Sequence, residues 1–350
     1  MSRPLQGLLL SELADELGSR TRALEAIKWL YAQRPFPQAL PESIPGVSQR
    51  VWTGFRGRSS LCVPLMRERR EADDGTTKYA LDFGGTQVET VRIPAGHRST
   101  ICVSSQAGCT RRCVFCATKE LGFHRSLRAE EIVAQYLVAR AEAPAEAPAR
   151  NVVFMGMGEP FDNLDEVLRA VEVLTQSPAP QLKATSVTVS TSGVLPGLKR
   201  FLAESTASLA LSLNATTDAQ REALMPHNKT WPIADLLAEL EADAARNPRR
   251  DHFIEYVLFA DTNDTDEDAD RLVQLLSTVN ARLNLIPHNP FPGSPLRAPA
   301  NARVRQFHER IVARGLRCMV RWPRGRQIAA ACGQLVLSTT GRGFESRETI

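Results

Sequence analysis

Three cysteines within eight residues, Cys109, Cys113 and Cys116, form the densest reactive cluster in the sequence. Thiolates at the spacing Cys-x3-Cys-x2-Cys can hold three irons of a [4Fe–4S] cluster and leave the fourth iron without a protein ligand. Such an open iron can bind a chelating substrate or cofactor. Zinc is the alternative, because it takes four ligands and His124 lies eight residues beyond Cys116. Phe115, directly before the third cysteine, favours the cluster. Cys62, Cys102, Cys318 and Cys332 are scattered, and seven cysteines are an odd number over a long chain. That count speaks against a disulfide framework and for a reducing compartment.

The elements that must position this chemistry follow a regular rhythm. Strand patterns occur at Ile101–Ser104, Val152–Met155, Val187–Ser190, Ala207–Leu213, Phe253–Leu258, Leu283–Ile286 and Leu316–Val320, with helical stretches near 128–140, 163–175, 194–204, 232–245, 265–278 and 301–314 between them. Six strand–helix repeats predict a parallel α/β sheet, closed or partly closed as a barrel. Glycine-rich or polar segments follow the strands: Gln106-Ala107-Gly108-Cys109, Gly156-Met157-Gly158-Glu159-Pro160, Ser190-Thr191-Ser192-Gly193, Ser212-Leu213-Asn214 and Pro287-His288-Asn289-Pro290. In parallel α/β folds this end of the sheet is the ligand mouth, so these segments should converge. Residues 1–95 read differently: helical spacing at Leu8–Leu17 and Thr21–Tyr31, prolines at 35, 37, 41 and 45, then a hairpin at Lys78–Phe83 and Gln87–Ile93. The expected organisation is a small helical module with a hairpin over 1–95, a partial barrel over 96–335 and a tail over 336–350.

Composition excludes several classes. The 350 residues are 43% hydrophobic and 23% charged, which is globular rather than disordered. No apolar run approaches the roughly 20 residues of a membrane span, and the N-terminus lacks a leader pattern, so a cytoplasmic protein is expected. The net charge is +4, but eight arginines lie between Arg303 and Arg326 against one acid, Glu309, and Arg67 to Arg70 is a smaller basic group. Such stretches suit a polyanionic partner or a solvated helix face.

The motif Cys109-x3-Cys113-x-Phe115-Cys116 resembles that of the radical S-adenosylmethionine (SAM) enzymes. Its flanks narrow the resemblance: Cys102-Val-Ser-Ser-Gln-Ala-Gly-Cys109, Gly156-Met-Gly-Glu-Pro160, Val189-Ser-Thr-Ser-Gly193, Asn284-Leu-Ile-Pro-His-Asn-Pro-Phe-Pro-Gly293 and Ala331-Cys-Gly-Gln-Leu335. In order and spacing, from about residue 8 to 335, these are similar to the adenine-C2 RNA methyltransferase family, which acts on ribosomal and transfer RNA. Enzymes that methylate adenine C8 are close relatives.

The resemblance implies a partial (β/α)6 barrel, a [4Fe–4S] cluster on Cys109, Cys113 and Cys116, and two SAM molecules per turnover. One SAM methylates Cys332. The other, bound at the open iron, is cleaved to a radical that takes a hydrogen from the methylated Cys332, whose methylene radical then adds to the adenine. Cys102 would release the RNA by attacking the Cys332 sulfur, leaving a disulfide, and Glu89 would remove the ring proton. Gly158, Glu159, Ser190, Ser212, Leu213, Asn214 and Asn289 match SAM contacts. The implied partners are 23S ribosomal RNA, transfer RNA or both, and an electron donor such as flavodoxin or ferredoxin; the protein is expected to be a monomer without a membrane partner. Asn214 stands where the family commonly has His, Lys119 and Phe161 replace the usual Gly and Leu, and Trp322-Pro323 interrupts the basic segment.

Overall fold

The computed structural model describes residues 3–176, 182–248, 250 and 252–336, so the expected C-terminal tail lies outside the described residues except for Val336. Three helices open the chain: α1 (Leu10–Leu17), α2 (Arg20–Ala32) and α3 (Gln49–Arg56). Three antiparallel strands follow, β1 (Leu65–Glu71), β2 (Thr77–Asp82) and β3 (Gln87–Ala95), and β3 pairs antiparallel with β4 (Arg98–Cys102). From β4 the strands run parallel: β7 (Ala149–Phe154), β8 (Val187–Thr191), β9 (Ser208–Ser212), β10 (His252–Leu258), β11 (Ala281–Pro287) and β12 (Cys318–Val320). A separate two-stranded hairpin, β5 (Gln106–Gly108) with β6 (Phe123–Ser126), leaves the end of β4. The hairpin of residues 65–95 therefore continues the barrel sheet, in the order β1-β2-β3-β4-β7-β8-β9-β10-β11-β12.

The crossovers carry helices α4 (Ala129–Ala141), α5 (Leu164–Thr175), α6 (Leu195–Glu204), α7 (Asp218–Leu224) with α8 (Ile233–Arg246), α9 (Asp266–Leu275) and α10 (Asn301–Val312). That gives six strand–helix units, as the rhythm predicts. The strands bury one face under the helices, with Val152, Phe154, Val187, Val189, Leu209, Leu211, Ile254, Tyr256 and Leu283, and the other face inside the barrel is covered too, with Ala210, Glu255 and Asn284 also buried. Helices α5, α6, α8, α9 and α10 bury one stripe and leave the other side wet. Helix α4 departs from that pattern. Residues Ala129 to Ala139 are all buried, because the N-terminal segment lies over its outer side. Arg3 bonds Glu130 at 3.1 Å and Glu166 on α5 at 3.0 Å, and Gly7 passes so near Glu130 that a Cβ would come within 2.9 Å of the Glu130 Cβ.

Four elements escape the sequence pattern for physical reasons. Strand β1 is an edge strand with the polar sequence LMRERRE and no apolar alternation. Helix α3 follows the prolines and buries only Trp52 and Phe55. Helix α7 is two turns long. The hairpin β5–β6 is held by its backbone, not by β-branched residues.

Candidate active site

The cysteine loop is closed at its base by backbone contact. The Cys109 N–H donates to the Gly122 carbonyl at 2.9 Å. Gly108 makes this possible: its φ is +74°, and a Cβ would stand 1.8 Å from that same oxygen. Inside the loop, the Arg111 N–H points at the Cys109 Sγ at 3.3 Å, and Thr110 and Arg111 both bind Asp162. The three thiols are half-buried and border one cleft. Burial pushes Cys109 up to about 12 and raises Cys113 and Cys116 as well, so as free thiols they keep their protons. A bound cation would reverse this, since metal-ligating thiols are deprotonated. No group of three His, Cys, Asp or Glu side chains among the described residues is arranged to hold a single metal ion. Three thiols bordering a common cleft suit a cluster, in which each thiolate meets its own iron.

The cleft opens at the C-terminal ends of the parallel strands and contains about 930 Å³ of empty space, mouth included. Gly158, Glu159, Ser190, Ser212, Asn214 and Asn289 all line it, together with the three loop cysteines and Cys332. Gly158 has φ +101° and lies against Gln106, where a Cβ would come within 2.6 Å; only glycine keeps this wall open. Leu213 lies outside the lining. Its side chain is in the core, its N–H bonds the Glu255 carbonyl, and its own carbonyl accepts from Arg221.

Glu159 is buried and accepts four hydrogen bonds: from the Phe161 N–H and Thr191 hydroxyl at one oxygen, and from the Ser192 N–H and hydroxyl at the other, all at 2.7–3.0 Å. These four contacts use the acceptor sites of a carboxylate. Burial raises the group's proton affinity and the four donors lower it. The Ser192 carbonyl is held in turn by Arg221, a wholly buried guanidinium that also donates to the Ser212 and Leu213 carbonyls and to Asn228. Desolvation brings Arg221 down to about 10, which leaves it cationic at neutral pH. Asn214 adopts φ +58°, a conformation Asn tolerates better than most side chains, and its side-chain oxygen accepts from the Val257 N–H. Asn289 is engaged by Arg326 at 3.0 Å.

Cys332 borders this cleft and also a second one, which contains Cys102, Arg321, Trp322 and Arg324. Met155, Ile286 and Asn289 form the rest of the shared wall. The Cys332 segment is fastened to the cysteine loop: the Ala117 N–H donates to the Gly333 carbonyl and the Thr118 hydroxyl to the Leu335 carbonyl, both at 2.7 Å. Burial raises the Cys102 thiol, so it stays protonated at rest, whereas Cys332 is exposed at the junction of the two clefts. All seven cysteines are free, so the expected disulfide is not a resident bond of the fold.

Glu89 lines neither cleft. It sits on β3 with 1% exposure, one carboxylate oxygen 2.8 Å from the Lys78 ammonium and the other without a hydrogen-bond partner among the described residues. Burial raises its proton affinity, against the lowering effect of Lys78. Sequence reasoning missed Lys78, Thr191, Ser192, Arg221 and Glu255. Glu255 lines the first cleft with one buried oxygen bonded to Asn284 and the other unpartnered among the described residues. An unmet buried acceptor on a cleft wall fits a ligand that brings N–H or O–H donors, as the SAM ammonium and ribose do.

The basic stretch is less basic than its composition. Arg303 pairs with Asp266, Arg310 with Asp266 and Asp270, and Arg314 with Asp270, all on α9. Arg67 to Arg70 are likewise paired, with Asp82, Glu71, Glu142 and Glu68. Arg321 and Arg324 have no salt bridge among the described residues and line the second cleft beside Trp322, which is 44% exposed.

Residues 103–280 match the radical SAM superfamily. The chain is 40% identical to the dual-specificity RNA methyltransferase RlmN of Francisella tularensis subsp. novicida over 91% of this chain and 88% of that protein. It is 47% identical to a probable RNA methyltransferase of Sorangium cellulosum, sce1580, over 77% of this chain and 68% of that one. A radical SAM methyltransferase structure from Sphaerobacter thermophilus superposes with a TM-score of 0.86 at 35% identity, covering 95% of this chain and 99% of the other.

Two outcomes follow for the site. After anaerobic reconstitution the protein should carry about four irons and four sulfides. Replacing Cys109, Cys113 or Cys116 by Ala should remove most of both, as read by metal and acid-labile sulfide analysis; one tightly held zinc instead would establish the alternative site. Arg221→Met leaves several buried carbonyls unpaired and should lower stability by about 3 kcal/mol or more in urea unfolding.

Proposed function

The chain belongs to the radical SAM superfamily and, within it, to the RNA methyltransferases of the dual-specificity kind, and on that footing we propose that it methylates C2 of an adenine in ribosomal RNA, transfer RNA or both by way of a methylated Cys332. The observation that carries this reading is the position of Cys332 on the wall between two clefts. One cleft contains the three-cysteine loop, and the other contains Cys102 and two arginines. A residue that must collect a methyl group on one side and deliver it on the other belongs on such a wall.

When bound, the cluster and SAM supply the methyl group and the hydrogen-abstracting radical, chemistry that an electron-poor ring carbon requires. The chain's own residues bind, orient and shield. Cys109, Cys113 and Cys116 would hold the cluster. Gly158 lets the backbone approach the ligand, Ser190, Ser212 and Asn289 would present polar groups to it, and Asn214, whose amide is spent on Val257 and Met225, would shape the wall. Glu159 can meet an incoming ammonium only if Ser192 yields one of its two donors, because all four acceptor sites are taken. Glu255 offers a free oxygen without such an exchange. Cys102 shares the second cleft with Cys332, where a thiolate attack on the Cys332 sulfur would release the product. Glu89, the base that the resemblance implies, lines neither cleft, so it would take the ring proton only once the Cys332 segment or the purine shifts to bring the two together. An external one-electron donor of the flavodoxin or ferredoxin class completes the requirement.

The second cleft suits a single unstacked purine: Trp322 on its lining could stack on the base, and Arg321 and Arg324 beside it could pair with phosphates. No helix among the described residues is long and apolar enough to cross a membrane.

Reconstituted protein, SAM, a reductant and unmodified ribosomal or transfer RNA in separate tubes should yield 2-methyladenosine by nucleoside mass spectrometry. The 8-methyl isomer would reassign the reaction to the C8 relatives, and a methylated Cys332 without methylated RNA would point to another substrate. Glu89→Gln should lower turnover about 10²-fold or more while Cys332 is still methylated. Arg321→Glu or Arg324→Glu should weaken RNA binding and flatten its salt dependence by about one unit of slope; unchanged affinity would move the RNA surface elsewhere.

A further inference from the structure

Lys78 has no role in the scheme above, yet its surroundings are unusual. It is 5% exposed, on β2, and faces Glu89 across the β2–β3 pair, in which Ala80 is opposite Glu89 and Val91 opposite Lys78. The two side chains are diagonal neighbours on one face of the sheet, within reach of each other. The Lys78 Nζ lies 2.8 Å from Glu89 Oε1 and donates to the Ala329 carbonyl at 3.3 Å. Ala329 is three residues before Cys332 and has φ +50°, a left-handed conformation that a non-glycine residue keeps only when its surroundings enforce it. The turn between β1 and β2 grips the same segment, with Asp74 accepting from the Gly325 N–H at 3.0 Å and Asp73 from the Gln327 amide at 2.9 Å.

We propose that Lys78 is a positioning residue for the proton-removal step: its ammonium fixes the orientation of the Glu89 carboxylate and, through the Ala329 carbonyl, sets that carboxylate against the segment bearing Cys332. The proposal rests on the reading of Glu89 as the proton acceptor. Three features support it. A buried ion pair contributes little net stability over an apolar pair of similar size, so what it adds here is a fixed direction for the carboxylate. Lys78 occupies Oε1, and Oε2 has no formed hydrogen bond among the described residues, although the Val336 backbone N–H lies near enough to the carboxylate to favour its charged form. A lysine has three donors in a compact head, enough to hold a carboxylate and a carbonyl at once. The charged groups facing Glu89 are Lys78 from β2 and Glu68 from β1, with the Val336 backbone on the side of the C-terminal segment. Lys78 is thus the only cation among them, and it favours the ionised base.

The test uses the reconstituted holoenzyme and compares wild type with Lys78→Met, Lys78→Arg, Glu89→Gln and the Lys78→Met/Glu89→Gln pair. Removing the cation makes the Glu89 carboxyl harder to ionise, so the acid limb of the pH–rate profile should move to higher pH by about one unit. Turnover of adenine to product should fall about tenfold or more at neutral pH. Cys332 methylation, read by peptide mass spectrometry, should remain at the wild-type extent, and covalently trapped RNA–protein adduct should accumulate. Lys78→Arg should restore the limb in part, and the double variant should be no slower than Glu89→Gln alone, because a residue acting through Glu89 adds nothing once Glu89 is lost. A Lys78→Met rate within about twofold of wild type with an unmoved limb overturns the proposal. Loss of Cys332 methylation in step with product, not rescued by arginine, overturns it too, as a general structural effect. If wild type itself forms no methylated adenosine, the reading of the reaction has failed rather than that of Lys78. The double variant buries no lone charge, which keeps the comparison open should Lys78→Met fold poorly.

Discussion

A single buried carboxylate organises the mouth of the barrel. Glu159 takes four donors from two places in the chain: its own following turn, and the hydroxyl and amide groups at the end of β8. Ser192, one of those donors, passes the constraint to Arg221, which ties in the end of β9. The ends of β7, β8 and β9 are thereby one polar unit inside an apolar barrel. Such a unit is stable only when complete, because each unpaired group left in a low-dielectric interior costs about 1–3 kcal/mol. The glycines at 156, 158 and 193 then shape the space that remains, since a side chain at any of them would meet a neighbour within 3 Å.

The cysteine loop is fixed by other means. Its base is closed by two backbones in contact at Gly108 and Gly122, and its far side is pinned by Asp162. Val114 ties it to Leu224, and two further hydrogen bonds reach forward more than two hundred residues to Gly333 and Leu335. The loop is therefore the place where the beginning of the barrel and the end of the chain are joined. Cys332 owes its position to that join more than to any strand of its own.

Much of this was legible in the sequence. The strand–helix rhythm was visible because parallel strands covered on both faces are short apolar runs with glycine or polar residues directly after them. The convergence of Cys109, Glu159, Ser190, Ser212 and Asn289 on one cleft follows from that topology alone. What could not be read is what depends on contacts far apart in the chain. Arg310 and Arg314 look like part of a basic surface until α9, some forty residues earlier, neutralises them. Arg221 looks like an ordinary helix-face arginine, and only the folded chain shows it donating to two strand ends. Lys78 looks like a solvent-exposed residue of a hairpin, because nothing local reveals that Ala329 will cover it. Strand β1 carries no apolar signal because neither of its faces is buried.

The hairpin of β1 to β3 is bonded into the same sheet as the barrel, and its turn and Lys78 grip the chain just before Cys332. Between the carbonyl held by Lys78 and the carbonyl held by the cysteine loop, Ala330, Ala331 and Cys332 span the gap like a short bridge with both abutments fixed. A sulfur so suspended has side-chain swings of a few ångströms at its disposal and little more. The N-terminal third is consequently not an exchangeable attachment. Replacing it would remove one abutment, so the hairpin and the geometry around Cys332 form a single mechanical unit.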